Sequence, residues 1–339
     1  MNAYVHLVIP DLFLPHDAAV DAGTGLRLPA LEKILARAQS SLLPMSSLET
    51  WLCAAFGVAN QAVAPITLQA EGEQPGTAYW LRADPVHLML RGEQFILRPI
   101  TTLDTNEAAQ LCSSLNQHFA AEGLHFAAPQ ALHWYLRVER EPDIGTTPLA
   151  QVAGHDIRAH LPQGAEALRW HKLLNEIQML LFDHPVNQAR EARGDWLINS
   201  VWPWGGGYAP EKLLCRFARI YTDSPLAMAF AKVADISHPA LSGDVTQRLE
   251  EAGETLIVWD GLRHACQHGD LGEWRDSVQQ LERDYVGPLL QALRLGRIEK
   301  LTLDVVQTHA SGRFVLTHGK VWQFWRRPKR LEYYAVGSA

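Results

Sequence analysis

Short unbroken apolar runs alternate along this chain with segments of helical period. Tyr4 to Ile9 and Thr255 to Trp259 read as continuous apolar, β-branched runs, the pattern of strands buried on both faces. Leu197 to Trp202 and Lys300 to Val306 read as further strands, with Arg313 to Phe324 as a hairpin partner or another strand. Between them, Leu28 to Gln39 places Leu31, Ile34, Leu35 and Ala38 on one helical face, with Pro29 near its start. Ser46 and Ser47 precede a helix from Leu48 to Phe56 that Gly57 closes, and Glu49 follows Ser46 at capping-box spacing. Residues 226–235 predict an Ala-rich helix, 244–252 a helix or loop, and 271–295 a long helix.

The middle of the chain has another character. Tyr79 to Leu90 and Gln94 to Leu97 predict strands around an Arg91-Gly92 turn. A helix over Asn106 to Glu122, with Ala109, Cys112, Leu115 and Phe119 on one face, stops at Gly123. A strand over Leu132 to Glu139 and a helix over Ala165 to Phe182 follow. The whole predicts an α/β protein, a mostly parallel sheet with helices on both faces. Residues 1–80 and 195–339 are assigned to that core, and residues 81–194 to an inserted α+β cap domain.

Composition narrows the function classes. With 339 residues, 47% hydrophobic and 20% charged, the chain has ordinary globular usage and room for two domains. A formal charge of −7 argues against nucleic acid or an anionic membrane as the main partner. Cys53, Cys112, Cys215 and Cys266 are scattered, which fits a reducing compartment and excludes a zinc ribbon. No apolar run approaches the roughly 20 residues of a membrane span, and no leader pattern opens the chain. The expected location is the cytoplasm.

The candidate chemistry lies where strands end. The 255–259 strand runs into Asp260, with His264 four residues later; just beyond the carboxyl end of a parallel strand, such a pair can converge on a divalent ion. The alternative is an Asp that caps the next helix and an exposed His. Asp11 ends the first strand in the same way. Ser47 is either an N-cap or a nucleophile, and His268 reads as a solvated loop residue. Gly205-Gly206-Gly207 lacks a nucleotide-loop pattern, so a flexible turn or a close backbone approach competes with a phosphate cradle. Asp84 and His87 would point to opposite faces of their strand and are not read as a metal site. Trp322, Phe324 and Trp325 beside Arg326-Arg327 could stack on a base, or else close the core or a dimer contact.

Several segments, taken in order, resemble the archaeal-type cofactor-independent phosphoglycerate mutases of the alkaline phosphatase superfamily. They are His184-Pro-Val-Asn187-Gln-Ala-Arg190, Asn199-Ser-Val-Trp-Pro-Trp204-Gly-Gly-Gly207, Asp260-Gly-Leu-Arg-His264 with Gly269-Asp270-Leu271, and Asp284-Tyr-Val-Gly-Pro288-Leu-Leu. Ala83-Asp84-Pro-Val-His87-Leu88, Trp202-Pro-Trp204-Gly-Gly-Gly207 and Phe324-Trp325-Arg326-Arg327 are similar to the bacterial RpfE-type regulatory proteins. The mutase resemblance implies a Ser nucleophile, here Ser47, and metal ligands at Asp11, Asp260, His264 and Asp304, with His318 or His309 as the last histidine. It also implies substrate contacts from Asn187, Arg190 and Asn199, and two divalent ions. With one metal site partly intact and the other broken, this chain is expected to hold one ion (Mn, Zn or Mg) or none.

The chain departs from the family pattern at telling positions. Val305 follows Asp304 where the family has its second-metal histidine, Leu12 follows Asp11 in place of Gly, and Leu48 replaces the acid after the serine. Trp204 stands where the family has an arginine, and an indole cannot replace a guanidinium fork at an anionic ligand. Two readings follow. The first is a catalytically degenerate mutase-like protein of RpfE type, which binds a phosphorylated small molecule or a regulatory protein partner and can form a homo-oligomer. The second is an active metal-dependent phosphotransferase or phosphatase that uses Ser47.

Overall fold

The structure, a computed structural model, describes residues 3–44, 47–241, 253–308 and 311–335. It is a mixed α/β protein with two compact units: Met1–Phe56 with Leu214–Ala339, and Gly57–Leu213. No helix among the described residues is long and apolar enough to cross a membrane.

The first unit is built on a six-stranded sheet. Its central strands are three of the predicted strands: β1 (Ala3–Pro10), β9 (Gly253–Val258) and β10 (Lys300–Val306). The strand order is β2-β11-β10-β1-β9-β8, where β2 is Gln39–Leu42, β8 is Arg219–Thr222 and β11 is Gly312–Thr317. The four strands from β10 to β8 run parallel, and β11 and β2 add an antiparallel edge. Odd-numbered side chains of β1 (Val5, Leu7, Ile9) and of β10 (Leu301, Leu303, Val305) enter one large apolar core. Over that face lie α1 (His16–Gly23), α2 (Pro29–Arg37), α11 (Leu271–Leu281) and α12 (Gly287–Arg294), each contributing buried residues to the same core. The expected 271–295 helix is one rod interrupted by a π-turn at Glu282–Val286, just before Pro288, whose missing N–H an uninterrupted α-helix could not accommodate. On the side of α3 (Leu48–Ala55) and α9 (Pro225–Val233), the Phe56 and Phe230 rings meet at 5.2 Å. The short helix α10 (Arg263–His268) follows β9.

The second unit carries a five-stranded antiparallel sheet, β4-β3-β6-β5 with β7 on the free side of β3. These strands are β3 (Tyr79–Arg91), β4 (Gln94–Pro99), β5 (Leu124–Gln130), β6 (His133–Val138) and β7 (Ser200–Gly207). Its helices include α4 (Val63–Ala70), α5 (Thr105–Phe119), α6 (Leu149–Val152), α7 (Ala167–Phe182) and α8 (Pro185–Arg193). On α5, Ala108 rather than Ala109 faces the core, beside Cys112, Leu115 and Phe119.

Two expectations change here. The strand after residue 195 belongs to this second sheet, because it pairs with β3 from Val86↔Ser200 to Trp80↔Gly207. The compact units accordingly divide at Phe56/Gly57 and Leu213/Leu214 rather than at 80/81 and 194/195. The triple glycine is the end of that strand, not a flexible turn. A Cβ at Gly206 would stand 2.5 Å from the Tyr79 hydroxyl, one at Gly207 would overlap Ala62, and Gly205 has φ +63°. Close packing of backbone explains these glycines. Ser46, His309 and the 244–252 segment lie outside the described residues.

Candidate functional site

Ser47 opens α3 as its N-cap. Its hydroxyl accepts from the Thr50 amide at 3.2 Å, and the Thr50 hydroxyl accepts from the Ser47 amide at 3.1 Å. This capping box is made by Ser47 and Thr50, while Ser46 of the expected Ser46–Glu49 spacing lies outside the described residues. It fixes the first turn of α3, which carries Glu49 and Trp51.

Trp51 reaches the polar face of the sheet. There Asp304, wholly buried in β10, accepts from His6 Nε2 at 2.7 Å, Trp51 Nε1 at 2.7 Å, Arg313 Nε at 2.8 Å and an Arg313 terminal nitrogen at 2.6 Å. His6 is two residues before Val8, the register partner of Asp304, so both side chains leave the same face; Arg313 pairs with Asp304 directly across β11. Arg216 donates to His6 Nδ1 at 3.1 Å, which fixes the neutral tautomer with its proton on Nε2. The Trp51 and Phe217 rings pack on His6 at 5.3 and 5.7 Å. Burial lowers the His6 pKa against the pull of Asp304. Burial alone would raise the Asp304 carboxyl, but hydrogen bonds from Arg313 and His6 outweigh it and hold the group well below the usual carboxylate range.

A second cluster lies at the carboxyl ends of β1 and β9. Arg263 binds the buried Glu49 carboxylate at 3.2 Å. Burial acts against the Arg263 charge, yet Glu49, Asp11 and Asp260 together raise its pKa above the ordinary value. Asp11 adopts φ 58°, a left-handed backbone unusual for a non-glycine residue. Its amide donates to the Val306 carbonyl at 3.1 Å.

The sequence-derived ligands therefore divide. Asp11 and Asp260 share the field of Arg263, while Asp304 belongs to the His6–Trp51–Arg313 cluster. His264 is exposed and paired with Glu273 at 2.9 Å. His318 follows β11 where Thr317 pairs with Lys300, the opposite end of the sheet from Asp11, and its Nδ1 bonds the Leu293 carbonyl at 2.6 Å. Thr317 lies four pairs beyond the Asp304–Arg313 pair, roughly 13 Å along the strand, so His318 does not join Asp304. Val305, the residue in place of the family histidine, points into the apolar core on the other face.

Among the described residues, this donor set does not fit a divalent ion. Asp304 is filled by protein donors, and guanidinium groups already supply positive charge to both clusters. Among the described residues, no group of three or more His, Cys, Asp and Glu side chains is placed to hold a metal.

The residues singled out for substrate contact are internal clips of the second unit. The Asn187 amide donates to the Leu181 and Ile198 carbonyls at 2.7 and 2.8 Å, and its oxygen accepts from the Ile198 amide at 2.9 Å. Asn199 makes the same paired bonds with the backbone of Leu88, at 2.7 and 2.8 Å. Arg190 is buried and binds Trp196 O, Glu107 and Thr102 O between 2.9 and 3.0 Å. Trp204 donates to Asp84 at 2.7 Å, and Asp84 also binds Arg82, whose guanidinium lies over the Tyr135 ring.

Sequence reasoning missed His6, Trp51, Glu49, Arg263 and Arg313. One signal was present for His6, a polar residue inside an otherwise apolar buried strand, since such a group needs a buried partner.

Sequence comparison relates the chain to cofactor-independent phosphoglycerate mutases at low identity. The chain is 30% identical over 243 residues to the 2,3-bisphosphoglycerate-independent phosphoglycerate mutase of Methanosarcina acetivorans, covering 64% of this chain and 59% of that one. It is 24% identical over 212 residues to the enzyme of the same name from Methanothrix thermoacetophila, covering 56% and 53%. The chain thus spans just over half the length of these relatives. The solved structure of the PH0037 protein from Pyrococcus horikoshii shares the fold, with TM-score 0.57, 11% identity and coverage of 98% and 92%. No protein-family model matches the chain.

Proposed function

We propose that this is a phosphoglycerate-mutase-like protein whose catalytic centre has degenerated and which serves as a regulatory or binding protein of RpfE type. The observation that carries the reading is the Asp304 carboxylate, closed off by His6, Trp51 and Arg313. In-line phosphoryl transfer needs cations that stabilise the attacking and leaving oxygens and an activated hydroxyl. Here two guanidinium groups occupy the acids' attention, and the Ser47 hydroxyl is engaged in a helix cap. A guanidinium neutralises charge but offers no open coordination position. The arrangement keeps the acid clusters folded without a metal and frees the protein to act through binding, with a phosphorylated small molecule or a regulatory protein as the partner, and with self-association as a further mode.

The test is phosphoglycerate mutase and generic phosphoesterase assays on chelator-stripped protein, repeated with Mn²⁺, Zn²⁺ and Mg²⁺. The expected result is no turnover under any condition. Metal-dependent turnover that disappears in Ser47→Ala would overturn the reading and establish a working phosphotransferase.

A further inference from the structure

His264 and His268 lie one turn apart on α10, with ring centroids 4.3 Å apart and an interplanar angle of 31°. Both residues are exposed. Each imidazole is oriented by an oxygen at Nδ1: the Glu273 carboxylate at 2.9 Å for His264, and the His264 main-chain carbonyl at 2.9 Å for His268. An oxygen partner at Nδ1 places the ring proton there and leaves Nε2 as the lone-pair nitrogen. A carboxylate or main-chain carbonyl behind Nδ1 is also the outer-shell arrangement that orients metal-bound histidines.

We propose that His264 and His268 form a two-nitrogen chelate for a divalent transition-metal ion of the imidazole-preferring class, Zn²⁺, Ni²⁺ or Cu²⁺. The i,i+4 spacing puts both rings on one helical face, as a chelate requires. Oxygen-preferring Mg²⁺ finds no partner in two imidazoles. Since no third His, Cys, Asp or Glu among the described residues completes a group, water fills the remaining positions and the ion exchanges, unlike one in a closed structural site. The chelate is separate from the Asp11–Asp260–Arg263 cluster: it pairs His264 with His268 rather than with Asp260. Glu273 acts as a positioning residue.

Calorimetric titration of tag-free, chelator-stripped full-length protein with Ni²⁺, Zn²⁺, Cu²⁺ and Mg²⁺ tests this. One Ni²⁺, Zn²⁺ or Cu²⁺ per chain is expected, with no Mg²⁺ bound at the same concentrations. His268→Ala should weaken Ni²⁺ binding by at least about tenfold and Glu273→Gln by about tenfold, while Asp260→Asn leaves it unchanged. Circular dichroism confirms that each variant is folded. Loss of affinity in Asp260→Asn overturns the chelate by assigning the ion to the carboxylate cluster and counts against both readings. Full Ni²⁺ affinity in His268→Ala overturns the chelate and leaves the degenerate-centre reading standing. Phosphoester turnover would do the reverse.

Discussion

The two faces of the six-stranded sheet are built by different physics, although the same strands make both. Odd positions of β1 and β10 send Val5, Leu7, Ile9, Leu301, Leu303 and Val305 into a large apolar core. Even positions send His6 and Asp304 into a charged cluster that Trp51 and Arg313 complete. The apolar face needs only volume and transfer energy, so many side chains would serve there. The polar face needs each partner, because a buried donor or acceptor without one costs more than its bond contributes. The fold is carried by the first face and the charged site by the second.

That contrast can be broken by matched substitutions at adjacent residues of β10. Asp304→Ala strands the buried His6 and Trp51 donors and the Arg313 charge, a loss of about 3–5 kcal/mol. Leu303→Ala, one residue away and facing the other side, removes methyl groups and leaves a cavity, at about 2–5 kcal/mol. The distinguishing measurement is urea denaturation of a repacked pair. Leu303→Met should recover nearly full stability on the apolar face, whereas Asp304→Leu should not recover it, since the donors remain unmatched. Equal recovery on both faces would remove the distinction.

Acidification probes the polar face alone and should have a smaller effect, because it titrates the cluster instead of deleting it. The His6 pKa is lowered by burial. Below its ordinary value of about 6.5, the unfolded chain therefore takes up a proton that the folded protein does not. Stability falls as pH falls through that window. The folded Asp304 pKa is also depressed, so its contribution is complete above the unfolded value near about 4 and is lost as pH drops below it. Urea midpoints should decline in two stages, and His6→Gln should flatten the upper one. A midpoint independent of pH between neutrality and the carboxylate range would contradict a neutral, buried His6.

The same contrast explains what the sequence disclosed. The central strands were legible because β1 and β9 carry continuous apolar runs and β10 alternates apolar with polar positions, Leu301, Leu303 and Val305 against Thr302 and Asp304. The short strands β2, β5 and β8 were not legible, since β2 is exposed at all four positions and takes its shape from pairing with β11. Gly205 to Gly207 suggested a turn because the atoms that demand glycine, on Tyr79, Leu81 and Ala62, are distant in sequence. Asp260 and His264 were visible as a spaced pair, but Arg263 between them draws its meaning from Glu49, which lies on α3. Asp304 was recognisable as a special acid, while its partners come from β1, α3 and β11. Local spacing reports a strand or a cap; it does not report which cation a carboxylate meets after folding.

The smallest expected effect concerns the helix that delivers Trp51 and Glu49. Ser47→Ala removes the hydroxyl that accepts from the Thr50 amide and should cost about 1 kcal/mol, the usual loss for an N-cap. Ser47 is buried, so water cannot substitute freely for the lost bond. Fraying the first turn of α3 loosens Trp51, four residues on, and with it one of the four bonds to Asp304. Ser47→Ala and Trp51→Phe should therefore be non-additive in a double-mutant cycle, coupled through the helix. Additive losses would mean that the cap and the polar face are independent, and that Ser47 is held in place for some purpose other than positioning α3.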